Sequence, residues 1–346
     1  MRAILLLWLA SAALADQVDR LVEEEMQKQR IPGAAVAVLR DGRPVKIRGY
    51  GLANIEHNVP ATAESVFKIG SISKQFIAAG VLILLSDGKL GLDDSIARYL
   101  EDAPAAWKAI TLRQLLSHTS GIVREGPAFE GLKAQPDIDV IRSAYSRSLV
   151  FAPGQKWQYC NVCYFALAEV ITRASGAPWP AFLEERIFGP LGMTVTRVTS
   201  WIDIVPHRSG GYLWREGAHR NADLLVAVRP SGALLSTVLD LAKWDAALYT
   251  DRPLASAIKE QMWTPIPLND GSTHDYGLGW AVGRLKQHRY VGHGGSLTGF
   301  RSHYLRFGES KLSVIVLTNE GAAKPEVIAE RVALSYLEAA VSTPLP

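Results

Sequence analysis

Cysteine is scarce in this chain: two residues, Cys160 and Cys163, in 346. Two are too few for a disulfide framework, and one Cys-x-x-Cys without a second ligand pair makes no zinc site. The spacing predicts two small buried thiols. Export would favour a local disulfide, but i,i+3 geometry inside a helix would strain it. Long apolar runs are also missing: nothing after residue 15 approaches the roughly 20 residues that cross a bilayer. No charge block stands out, and 37 basic against 34 acidic residues leave +3, which gives no case for nucleic-acid binding. The chain has no internal repeat or low-complexity tract. It lacks a Gly-x-Ser-x-Gly elbow, a His-Glu-x-x-His helix and a Walker loop, so three common hydrolase plans are excluded.

What is present begins with Met1-Arg2, then the apolar run Ala3 to Ala10 and an Ala13-Leu14-Ala15 end. A basic start, a short apolar core and an Ala-x-Ala end predict a cleavable export signal over 1–15, with a mature start near Asp16. The expected location is therefore periplasmic or secreted. The remaining length, 48% hydrophobic, suffices for one large core or two lobes.

The coarse order is legible from period and punctuation. An amphipathic helix over Asp16–Gln29 precedes strands Ala34–Leu39 and Pro44–Tyr50, joined by an Asp41-Gly42 turn. Residues 91–196 read as mostly helical, with helices at Leu92–Leu100, Leu112–Leu116 (Thr111 as cap), Asp137–Ser146, Val162–Ala174 and Ala181–Ile187. Helices follow at Thr237–Tyr249 and Leu254–Trp263. The last third is strand-like at Tyr276–Gly283, Arg289–Gly292, Arg301–Phe307 and Lys311–Leu317, before a closing helix at Glu326–Ala340. Early hairpin and late strands must share a sheet or leave open edges, and hairpin connections make it mainly antiparallel. The expected architecture is α/β (α+β): an antiparallel sheet flanked by N- and C-terminal helices, built from 16–90 and 197–346. A helical lobe, 91–196, is inserted, and a cleft lies between the two.

The chain is organised around Phe67 to Phe76. Gly70 supplies a turn, and Ile72, Phe76, Ala79 and Ile83 recur at helical spacing until Ser86-Asp87-Gly88. Ser71 falls in the first turn, where backbone N–H groups lack partners, and Lys74 shares its face. An amine in an apolar wall loses its proton readily and can act as base to a serine. Ser-x-x-Lys occurs four times, at Ser65, Ser71, Ser86 and Ser256. Only Ser71 has a turn residue before it and a long apolar helix after it.

Two further segments are expected to converge with it on the cleft: Tyr159-Cys160-Asn161 after a Pro-Gly turn, and His293-Gly294-Gly295-Ser296 at a strand end. In order and spacing the three resemble the Ser-x-x-Lys, Tyr-x-Asn and Lys/His-x-Gly signatures of the serine β-lactamase and penicillin-binding family, in its class C, D,D-peptidase and esterase branch. Leu115 to Gly121, Pro190-Leu191-Gly192-Met193 and Gly299-Phe300 resemble it too, so nearly the whole chain is covered. The resemblance implies a β-lactamase/transpeptidase-like fold and Ser71 as nucleophile. Lys74 and Tyr159 would handle protons, and the backbone N–H groups of Ser71 and Ser296 would form the oxyanion hole. Asn161 would bind substrate or hold Lys74. His293, Gly294 and Gly295 would complete the substrate-binding strand, the glycines letting substrate backbone lie close. His118 is expected to pack and hydrogen-bond rather than to serve the site.

Two departures matter. His293 stands where many β-lactamases carry lysine, which leaves Arg301 as an alternative cation. Cys160 replaces a common serine. They shift the expectation from a dedicated β-lactamase toward an esterase, D-amino-acid peptidase or carboxypeptidase. The reading is an exported serine hydrolase acting on an ester, D-amino-acid peptide or β-lactam, without metal or organic cofactor. The alternatives are a true class C-like β-lactamase and a catalytically inactive penicillin-binding or sensing module.

Overall fold

The computed structural model describes residues 2–341 apart from 128, 134, 201 and 223–229; of 2–15 and 339–341 only the backbone is described. The first helix, Arg2–Gln29, runs through the stretch read as a leader, whose side chains lie outside the described residues. Among the described residues no helix is long and apolar enough to cross a membrane.

Seven antiparallel strands form the main sheet, in the order Val59–Pro60, Arg43–Asn54, Gly33–Arg40, Leu312–Thr318, Phe300–Phe307, His288–Leu297, Ala281–Leu285. The two chain ends meet at its centre, where Ala34 pairs with Thr318 and Val38 with Val314. The expected antiparallel sheet joining early and late strands is thus what forms.

Both faces of the central strands are covered, so their residues are buried in succession instead of alternately. Val36, Val38, Val314 and Val316 pack under the terminal helices through Val18, Val22, Ile328 and Val332. Ala35, Ala37, Leu39, Ile315 and Leu317 face the other core, which contains Phe76 and Trp244. The helix Ser73–Ser86 runs through that second core, and every residue from Ser73 to Leu84 is buried. Its apolar stripe in the sequence was therefore only part of a fully enclosed surface.

Two expected elements differ. Leu92–Leu100 forms only a short 3₁₀ turn, Ile96–Arg98. The Asp94 carboxylate accepts from Gly91 N–H at 2.8 Å and from Tyr99 at 2.8 Å, and these local bonds compete with a helix. The strand expected at Tyr276–Gly283 begins only at Ala281. Gly279 has φ +79°, and a Cβ at Gly277 would lie 2.1 Å from the Met262 carbonyl oxygen, so this stretch turns under the site instead.

A buried polar cluster ties the sheet to helix Val238–Ala247. Asp245 Oδ1 accepts from Tyr304 Oη at 2.5 Å, Ser313 Oγ at 2.6 Å and Arg306 Nη1 at 2.7 Å. Removing the carboxylate strands a buried guanidinium, which typically costs about 3–5 kcal/mol. Asp245→Ala is expected to lose that much in urea unfolding; a loss below about 1 kcal/mol would mean that solvent or the ring of Tyr249 compensates Arg306.

Candidate active site

The site starts from a close approach. Gly70 has φ +55°, and a Cβ there would lie 2.5 Å from the Ser296 nitrogen. Only glycine lets the 3₁₀ turn Gly70–Ile72 press against strand His288–Leu297, which brings Ser71 and Ser296 to one wall. Gly295 serves the same approach: its Cβ would sit 2.1 Å from the Ile69 carbonyl oxygen, which also accepts from Ser302 Oγ at 2.8 Å. The expectation that Gly295 makes room for substrate is thus corrected, because the chain's own backbone occupies that space. Gly294 is exposed.

Lys74 is 0% exposed. Its Nζ lies 2.7 Å from Asn161 Oδ1, 2.6 Å from the Ser231 carbonyl oxygen and 3.2 Å from Ser71 Oγ. The first two partners only accept, so they take two N–H bonds. That leaves the third direction, toward Ser71, for a lone pair if the amine is neutral. Burial holds the amine well below the ordinary 10.5; the Glu125 carboxylate opposes this and Arg124 reinforces it. Asn161 is oriented in turn, since its Nδ2 donates to Glu125 Oε1 at 2.5 Å and so aims Oδ1 at Lys74.

Tyr159 is half-buried, its hydroxyl is hydrogen-bonded to the Ser71 side chain, and burial pushes the phenol above its ordinary 10. A lysine cation lowering the phenol was one expected route to a reactive pair. The structure favours two neutral groups, because enclosure removes the charge that would have acted on the tyrosine.

His118 does more than pack. Its carbonyl accepts from Gln158 N–H at 2.9 Å and its Nδ1 from Cys160 N–H at 3.1 Å, so both neighbours of Tyr159 are pinned to one residue. Its ring centroid lies 4.3 Å from that of Tyr159. Burial keeps His118 neutral, and the acceptor role of Nδ1 places its proton on Nε2.

His293 is 7% exposed and presents no charge to the cleft. Its Nδ1–H donates to the Gly294 carbonyl at 2.6 Å while Nε2 accepts from the Tyr276 hydroxyl at 2.9 Å. Burial, with Lys74 adding to it, pushes its pKa down to about 3. The expected contact of His293 with substrate is replaced by support of the aromatic floor beneath Tyr159.

The cysteines require a correction as well: Cys160 and Cys163 form a disulfide, with Cα atoms 5.4 Å apart. Strain was expected from helical i,i+3 geometry. Cys160, however, is the cap residue before helix Asn161–Ser175, with extended φ −131°, so only Cys163 is helical.

Ser71, Asn161 and Ser296 line a cleft of about 460 Å³ together with Arg124, Glu125, Arg215, Ser231 and Arg301. Sequence reasoning missed Ser231, which acts through a backbone carbonyl that no side-chain pattern reveals. It also passed over Glu125, whose signal was an adjacent charge pair, Arg124-Glu125, just after the Leu115–Gly121 run. Among the described residues no group of three or more metal-ligating side chains is present.

The family described as beta-lactamase matches residues 18–338. The chain belongs to the β-lactamase family. Among relatives of this β-lactamase-family chain, penicillin-binding protein 4* of Bacillus subtilis (strain 168) is 29% identical over 330 residues, covering 88% of this chain and 71% of its own length. A D-aminopeptidase of Gluconobacter oxydans (strain 621H) is 27% identical over 302 residues, covering 84% of this chain and 56% of its own length. The chain thus spans little more than half of that aminopeptidase. The octameric penicillin-binding protein homologue from Pyrococcus abyssi superposes with TM-score 0.82 at 27% identity, over 94% of this chain and 77% of that one.

Proposed function

We propose that this chain is an exported serine hydrolase that forms an acyl-enzyme on Ser71, in a cleft between the 91–196 lobe and the rest of the chain. The observation that carries the reading is the Lys74 amine, enclosed by two pure acceptors with its remaining direction toward Ser71 Oγ. Lys74 takes the Ser71 proton as Oγ attacks the carbonyl carbon of an ester, D-amino-acid peptide or amide, or β-lactam. The backbone N–H groups of Ser71 and Ser296 face the oxyanion, a contribution of about 3–4 kcal/mol per donor in comparable sites. Tyr159, hydrogen-bonded to Ser71, gives its proton to the leaving group and is reprotonated by the one Lys74 holds, so both groups are neutral in the acyl-enzyme. Water then attacks the acyl carbon, its proton passing to Lys74 and from there to the departing Ser71 Oγ.

Two findings favour a D-amino-acid amide or peptide with a free ammonium. Among the described residues Glu125 is the acidic group lining the cleft, and its second oxygen is not committed to Asn161. Among the relatives are proteins named D-aminopeptidase. Arg215 and Arg301 on the sheet side suit a carboxylate farther along the substrate. The test compares kcat/KM on D-alanine p-nitroanilide, its L-isomer, its N-acetyl derivative, p-nitrophenyl acetate and nitrocefin. The D-anilide is expected to exceed its L and acetylated forms at least about tenfold, the size of one desolvated charge contact. Glu125→Gln, which still accepts from Asn161, should narrow the gap to the acetylated form. Faster turnover of nitrocefin than of every other substrate would replace this reading with the β-lactamase alternative.

A further inference from the structure

The disulfide lies inside the catalytic apparatus. Tyr159 immediately precedes Cys160, and Asn161, the Lys74 partner, stands between the two half-cystines. Both cysteines are 0% exposed. Each is also tied to the same loop: Cys160 N–H donates to His118 Nδ1 at 3.1 Å, and Ser120 Oγ lies 3.2 Å from Cys163 Sγ. The loop continues to Arg124, whose carbonyl accepts from Asn161 N–H at 2.9 Å, and to Glu125. One covalent link therefore closes a ring of contacts that fixes the direction of both the Tyr159 hydroxyl and the Asn161 amide.

Resting on the Ser71 acyl-enzyme reading, we propose that the Cys160–Cys163 disulfide positions Tyr159 and Asn161, and that the chain reaches full activity only once this pair is oxidised. In that step the two thiols lose two protons and two electrons and one S–S bond forms. The oxidant is a disulfide, oxidised glutathione or a dithiol–disulfide oxidoreductase, which is reduced to two thiols. Reversal turns one bond into two thiols and removes the covalent tie between residues 160 and 163, both of which are 0% exposed. Without that tie the segment 159–163 is free to shift, and a displacement near 1 Å at a reacting group costs as much as about 10²-fold in rate. Burial of both sulfurs also means that oxidation accompanies folding and that reductant reaches the folded pair slowly. The cysteines thereby make activity depend on the compartment in which the chain folds.

The experiment refolds wild-type chain with oxidised glutathione or with excess dithiothreitol, counts thiols after denaturation, and measures kcat and KM on p-nitrophenyl acetate beside the rate of fluorophosphonate labelling. Oxidised protein should show no titratable thiol. Reduced protein should show two, and a kcat and labelling rate lower by about tenfold or more with KM changed less than threefold. Cys163→Ala leaves the Cys160 cap in place, and Cys160→Ser supplies a hydroxyl cap. Both should reproduce the loss, and neither should recover in oxidised glutathione, whereas the reduced wild type should recover on oxidative refolding. Reduced protein within twofold of the oxidised kcat, or two free thiols in protein refolded oxidatively, overturns the proposal. So does loss of activity that always comes with loss of near-ultraviolet circular dichroism, since that is unfolding and not misplacement. Oxidised wild type that never labels would instead defeat the acyl-enzyme reading, separately from this one.

Discussion

Ser71→Ala is expected to abolish covalent labelling by a fluorophosphonate or penicillin probe and to lower kcat on activated esters by about 10⁵–10⁶-fold, as for other serine nucleophiles. The substitution removes one oxygen from a half-exposed position and leaves the turn intact, because Gly70, not Ser71, makes the left-handed conformation and the contact with Ser296. Thermal stability should therefore change little, which distinguishes lost chemistry from lost fold. Residual turnover of the order of 10³–10⁴ over water would still be consistent, since the backbone donors and the cleft remain. Labelling equal to wild type, read by intact mass, would place the nucleophile elsewhere and end the assignment.

Lys74→Met should lower kcat by about 10³–10⁴-fold while KM moves far less, because the amine acts on the proton and not on substrate binding. Methionine fills similar volume in a position that is 0% exposed. The pH dependence carries a second signature. Neutral Lys74 is the active form, so kcat/KM of the wild type rises with pH through the depressed lysine pKa and then levels. The stability effect has a definite sign. Folding lowers this pKa below the unfolded value near 10.5, so between the two values the unfolded chain binds more protons. The wild type pays that proton penalty at pH 7 and sheds it as pH approaches 10. The difference in unfolding free energy between wild type and Lys74→Met should therefore move in favour of the wild type over pH 7 to 10. A pH-independent difference would show Lys74 to be charged in the folded protein.

Much of this protein follows from local pattern alone. The hairpin at Arg40–Arg43, the late strand pair and the helix after Ser71 form where period and turn residues place them, because each is stabilised by contacts close in sequence or by an apolar face that must be covered. Where local bonds compete, as at Asp94, or where a distant backbone presses in, as at Gly277, the same patterns mislead.

The order of Ser71, Lys74, Tyr159, Asn161 and Ser296 was determined by the sequence, and so were the antiparallel sheet and the family likeness, since residue type and spacing are enough for each. Only the tertiary structure decided that His293 is an enclosed neutral support, that Gly295 yields to Ile69, that Ser231 and Glu125 belong to the lysine's surroundings, and that the cysteines are joined. Those outcomes depend on burial and on approach distances between segments far apart in the chain. A neutral amine, an oriented amide and a bonded sulfur pair come from what surrounds a residue, which its identity does not encode.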